Sequence, residues 1–135
     1  MANALFAATR ASFLKADCDL DGTVKLSFID HADDTPVAAT DDFYDDILGA
    51  AIVATSGAFT TKTFTAGVFD ADDVTTSAVS GDPFESIVIW LDTAGASSTD
   101  PLVAFLDTAT GLPTTPNGGD ITVAWDSGAN KIFKL

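Results

Sequence analysis

Apolar positions along this chain recur with two periods, one near the N-terminus and another through the rest. From Ala4 to Ala16 the residues are good or tolerable helix formers, and Leu5, Phe6, Phe13 and Leu14 recur with gaps that make one oily stripe. The spacing predicts a short helix ending before the turn-rich run Asp17-Cys18-Asp19-Leu20-Asp21-Gly22. Beyond that run the period falls to two. Thr23 to Ile29 places Val24, Leu26 and Phe28 on one face of a strand. In Phe84 to Leu91 one face carries Phe84, Ser86, Val88 and Trp90 and the other Glu85, Ile87, Ile89 and Leu91. A strand apolar on both sides belongs in the middle of a sheet covered on both faces. Ile121, Val123 and Trp125 alternate with Thr122, Ala124 and Asp126, the pattern of a half-buried strand.

Shorter runs complete the set. Ala50–Thr55, Phe59–Ala66, Val74–Val79, Leu102–Leu106 and Lys131–Leu135 each read as strands, separated by Gly, Pro, Asn and Asp clusters. Asp30 to Asp46, dense in aspartate and broken by Pro36, reads as a long exposed loop with a short helical turn at Asp42 to Leu48. About seven or eight short strands at even spacing predict a mainly β fold, a β-sandwich or partly open barrel with one short N-terminal helix. With 135 residues and no linker or internal repeat, residues 1–135 are expected to form a single β-rich domain.

Composition then narrows the class. Of the twenty acidic residues only Glu85 is a glutamate, and Asp is the residue of turns and caps. The formal charge is −14, with six scattered Lys and Arg, so the chain lacks the basic surface that displaces counterions from phosphate, and no direct nucleic-acid partner is expected. No apolar stretch approaches the roughly 20 residues that span a bilayer, so no membrane is expected either. The first residues lack the charged head and apolar core of a secretory signal. Cys18 is the only cysteine, which excludes an internal disulfide.

Several constellations bear on chemistry. Asp17, Asp19, Asp21 and Gly22 have the spacing that opens a calcium-binding EF loop, but its twelfth position, normally Glu, is Phe28, and the chain leaves as a strand. These carboxylates, and those of Asp70, Asp72 and Asp73, are expected to serve solvated turns, with Asp17, Asp19 and Asp21 as weak calcium candidates. The sole histidine, His31, is flanked by Asp30, Asp33 and Asp34 and reads as a loop anchor, since no G-x-S-x-G elbow surrounds any serine. One His and one Cys do not supply a zinc site. Glu85 interrupts an apolar strand face and is expected at an edge or paired with Lys62, Lys131 or Lys134. No catalytic residue, metal or cofactor is assigned. The apolar residues near the two ends, Leu5, Phe6, Phe13, Leu14, Ile132, Phe133 and Leu135, are the candidate contacts to partner molecules.

Those ends also carry a resemblance. Met1-Ala2-Asn3-Ala4-Leu5-Phe6, Ala11-Ser12-Phe13-Leu14 and Val24-Lys25-Leu26-Ser27-Phe28-Ile29-Asp30 resemble the opening of a family of small structural proteins of tailed bacteriophages. The run Leu106 to Asp126 and the segment Asn130-Lys131-Ile132-Phe133-Lys134-Leu135 resemble that family more closely, and Asp41 to Ile47 and Ala54 to Gly57 fit its middle. The resemblance implies a non-enzymatic virion component. Its first form is a capsid decoration or cement protein, a homo-oligomer on the outer surface of the head that contacts the major capsid protein or another virion protein, made in the host cytoplasm before assembly. The alternative within the particle is a neck, tail or fibre-attachment component. The alternative of another class is a carbohydrate-binding module, which needs aromatic side chains exposed for stacking, with Tyr44, Trp90 and Trp125 as the non-Phe choices.

Overall fold

The two longest runs of apolar alternation pair with each other along their full length. In the computed structural model, which describes residues 2–135, strand β2 (Thr23–Ile29) lies antiparallel to β7 (Ser86–Asp92) in unbroken register from Thr23 opposite Asp92 to Ile29 opposite Ser86. Around them β1 (Ala4–Leu5), β8 (Leu102–Leu106) and β3 (Ile52–Thr55) complete an antiparallel sheet of order β1-β8-β7-β2-β3. β7 is thus the middle strand, as its two apolar faces require.

The faces of this sheet are covered differently. On the first, Val24, Leu26 and Phe28 of β2 and Ile87, Ile89 and Leu91 of β7 pack under two small sheets. One contains β4 (Thr63–Thr65), β5 (Val68–Asp70) and β10 (Phe133–Lys134) in the order β10-β5-β4, and the other pairs β6 (Val74–Thr76) with β9 (Ile121–Val123). Phe69, Val74, Ile121, Val123 and Phe133 join the same core cluster, so one apolar layer connects all three sheets in a β-sandwich-like arrangement. On the second face Val88, Trp90, Leu102 and Phe105 meet Phe6, Ile47 and Ala51, carried by the chain ahead of the helix and by the long 30–51 connection. A bulge in β8 opposite Ile89 and Trp90 adds one residue, and Val103 and Ala104 both reach the first face in consequence.

The described residues contain ten strands, more than the seven or eight expected, and the excess comes from identifiable places. The helix α1 spans Ala7–Lys15; Ala4 and Leu5, expected within it, instead pair with Phe105 and Ala104 at the sheet edge. Backbone pairing to an open edge outweighs the modest helix preference of two residues. The expected single strand Phe59–Ala66 is broken at Thr61, whose φ is 53°. Its remainder forms a hairpin with β5 through Ala66 and Gly67, at φ 55° and 76°. Ala78 at φ 52° likewise ends β6 before Val79. The 30–46 segment is largely exposed and holds a short 3-10 turn at Tyr44–Asp46, although Asp30 and Pro36 are buried.

Ala66 offers a direct check of the hairpin. Positive φ at both central residues is the type I′ geometry, for which Asn-Gly is the favoured pair, and an alanine in the left-handed region costs about 1–2 kcal/mol. Ala66→Asn is therefore expected to stabilise the protein by about 0.5–1 kcal/mol, read as a higher urea midpoint at unchanged slope. A lower midpoint would count against this turn.

Candidate interaction surface

The aspartate run that opens like a calcium loop is closed by a lysine. The Asp19 carboxylate accepts the Asp21 N–H at 2.9 Å, and the Asp19 carbonyl accepts the Gly22 N–H at 3.2 Å, a local turn of the kind short acidic side chains make. The Lys62 ammonium donates to the carbonyls of Leu20 at 3.0 Å, Asp21 at 2.8 Å and Gly22. A side-chain cation thus takes up main-chain oxygens of this loop. Among the described residues no three acidic, His or Cys side chains are grouped to hold a metal ion, and Asp17, Asp19 and Asp21 do not form such a group. The second cluster is divided in the same way. Asp72 accepts the hydroxyls of Thr60 at 3.2 Å and Thr61 at 2.5 Å, Asp73 accepts the Trp125 N–H at 3.0 Å, and Asp70 lies 3.6 Å from the Lys131 ammonium. Asp46 receives the N–H groups of Phe43 and Asp42, which hold its carboxyl below the usual carboxylate range.

The residues with catalytic potential are built into the framework. His31 Nε2 lies 2.8 Å from Ser86 Oγ, yet Ser86 is fully buried, so the pair fixes the start of the 30–46 loop rather than presenting a nucleophile. Glu85, expected at an edge or paired with a lysine, accepts the His31 backbone N–H at 2.9 Å and gives its own N–H to the Ile29 carbonyl. Satisfying a backbone donor where the chain turns out of β2 accounts for a carboxylate in that apolar sequence. Burial pushes the Cys18 thiol up, and the adjacent Asp19 charge adds to the shift, so the nucleophilic thiolate is disfavoured.

One polar knot on the second face was not legible in sequence. Ser27 Oγ accepts the Trp90 Nε1–H at 3.1 Å and lies 2.7 Å from Tyr44 OH and 2.9 Å from Thr55 Oγ1. Tyr44 stacks on Trp90 at 4.1 Å, and Lys25, paired with Asp92 at 2.6 Å, lies over the same indole. The Trp90 ring is covered. Trp125 leans on Phe59 at 5.5 Å and donates its indole N–H to Asp72. Trp90 therefore has no face free for a sugar ring, whereas Trp125 stays half-exposed.

The apolar residues near the ends separate into three roles. Phe6 is completely buried on the second face and belongs to the core; because β1 starts the chain along β8, Phe6 turns inward and cannot be a surface contact. Leu5 and Ile132 are half-buried against the first-face core, and Phe13 stacks obliquely on Phe133 at 6.2 Å. Leu14, next to Phe13 but a hundred degrees around α1, is 91% exposed, so the expected stripe does not form on one side. Leu135 is 65% exposed. Phe13, Phe133 and Leu135 come together with Leu20, Phe64 and Val68 around a groove of about 270 Å³, whose lip carries Asp19 and Asp21. Phe64, Phe69 and Phe133 are register partners across β4, β5 and β10, and their rings form a row 5.4 Å apart. Phe64 and Val68 carry no sequence signal for this groove, because the 59–66 run reads as one strand and the hairpin that brings them beside residue 135 turns at Ala66 and Gly67.

Neither a family model nor a curated protein matches the chain. No helix of the described residues is long and apolar enough to cross a membrane.

Proposed function

We propose that this protein is a non-enzymatic structural component of a tailed-bacteriophage particle, decorating the outer capsid and holding neighbouring coat subunits together as a homo-oligomer. The observation that carries the assembly reading is the groove that joins the helix, the β4–β5 hairpin and the last strand, where large apolar groups stay exposed. Exposed apolar side chains gathered in one cleft favour a contact with another macromolecule. The tying of His31 and Ser86 into the framework, and the raised pKa of the Cys18 thiol, support the non-enzymatic part. The resemblance of both ends to small phage structural proteins supplies the particle. The charge of −14 suits a surface turned outward, away from packaged phosphate.

Mass spectrometry and antibody-labelled electron microscopy of purified particles test the reading. Label distributed over the head is the expected result. Label confined to the neck or tail would move the protein to the alternative position, and absence from particles would reject the virion role.

A further inference from the structure

We infer that the groove between α1, the β4–β5 hairpin and β10 is the docking site for a segment of a partner protein that presents a large apolar side chain flanked by lysine or arginine. The inference rests on the assembly reading above and adds the surface and the chemistry of what it holds. The groove's floor is Phe13, Phe64, Phe133 and Leu135, and Phe64 remains 47% exposed although its neighbour Phe69 is buried. At about 270 Å³ the space falls just short of the roughly 300–1,000 Å³ of small-molecule sites, and it suits one or two inserted side chains. A row of rings gives such an anchor large contact area at low ordering cost.

The lip sets the sign of the partner. Asp19 and Asp21 are exposed there, and Asp19 is held in place by the Asp21 N–H. The Lys62 ammonium, reaching in from forty residues on, is held on the Leu20, Asp21 and Gly22 carbonyls and leaves one positive charge against this loop, but no basic side chain lines the groove among the described residues. A second copy docking here through the same groove would bring another acidic lip against the first. A basic segment instead brings complementary charge to the Asp19–Asp21 edge beside an apolar anchor, which favours encounter and register. Homo-oligomer contacts, where the particle needs them, then fall on other surfaces.

Fluorescence anisotropy with the full chain tests this directly. The probe is a short labelled peptide with a Phe-Leu pair between lysine pairs, compared with one in which Phe-Leu is replaced by Ser-Ser and one in which the lysines are replaced by glutamates. The first peptide is expected to bind at least about tenfold tighter than either control, a difference of about 1.4 kcal/mol. Asp19→Asn with Asp21→Asn keeps the Asx turn and is expected to weaken binding about three- to tenfold while flattening its salt dependence. Phe64→Ser is expected to weaken binding without changing the circular dichroism spectrum. Equal binding of the Ser-Ser peptide, or unchanged binding in Phe64→Ser, would overturn the proposal. So would a dimer in sedimentation that Phe64→Ser dissolves, since the occupant would then be a second copy. These measurements need no particle, so their failure is distinct from absence of the protein from virions.

Discussion

Ending the chain at Asn130 is expected to lower folding stability by about 5 kcal/mol, a large part of the roughly 5–15 kcal/mol that holds a domain of this size together. The missing residues 131–135 supply β10 and the groove wall. Phe133 is half-buried between Phe69, 5.4 Å away, and Phe13, 6.2 Å away, and its loss costs about 2 kcal/mol. Ile132, also half-buried, contributes about 1 kcal/mol. The Ile132 N–H to Phe69 carbonyl bond at 3.1 Å and the Leu135 N–H to Gly67 carbonyl bond at 2.9 Å contribute about 1 kcal/mol each. The Lys131–Asp70 pair at 3.6 Å is partly exposed and adds little. The deletion also uncovers Phe69 and leaves β5 with one neighbour. Urea unfolding checks the figure, and an unfolding free energy within about 1 kcal/mol of the full chain's would show that β10 is peripheral to the fold.

The central sheet was legible because its strands meet two demands at once. β2 and β7 are long, and their alternation persists over enough residues for a one-residue slip to expose a whole apolar face. Leu102–Leu106 was legible for a related reason, a continuous apolar run directly after Pro101. The limits of the short strands between residues 59 and 79 were not, because single residues at positive φ interrupt that stretch. Thr61, Ala66 and Ala78 are not residues that announce a left-handed conformation, so nothing in their identity marks where β4, β5 and β6 begin or end. The groove depends on those limits. Phe13, Phe133 and Leu135 were singled out as contact residues and do line it, whereas Phe6, singled out on the same grounds, is core. A stripe drawn for a helix cannot separate residues that sit before the helix from those within it. The acidic residues followed composition more faithfully: Asp19, Asp30, Asp46 and Asp92 each receive a backbone N–H from within four residues, which is the use that favours Asp over Glu. Lys62 is the exception that sequence spacing did not foretell, since its partners lie about forty residues away and are main-chain atoms.

Phe28→Ala is expected to cost about 4 kcal/mol, and Leu14→Ser less than about 0.5 kcal/mol, although both remove a large apolar side chain from a predicted element. Phe28 is completely buried in β2 and stacks on Phe84 with ring centroids 4.4 Å apart. Its truncation leaves a cavity beneath the small sheets and removes a stacked pair worth about 0.5–1.5 kcal/mol beyond the area term. The site has little freedom to collapse, because β2 is held by register to β7 on one side and β3 on the other. Phe28→Leu, which preserves most of the volume, is expected to cost only about 1–1.5 kcal/mol. Leu14 loses nothing comparable, since most of its surface already meets water. Denaturant midpoints of the three variants at constant slope check the ordering. A costly Leu14→Ser would mean that α1 is covered in solution, by a second copy or by a segment of this chain. The expected ordering leaves Leu14 replaceable at little cost to the fold, so a defect in assembly from Leu14→Ser reports on contacts with partners and not on a collapsed core.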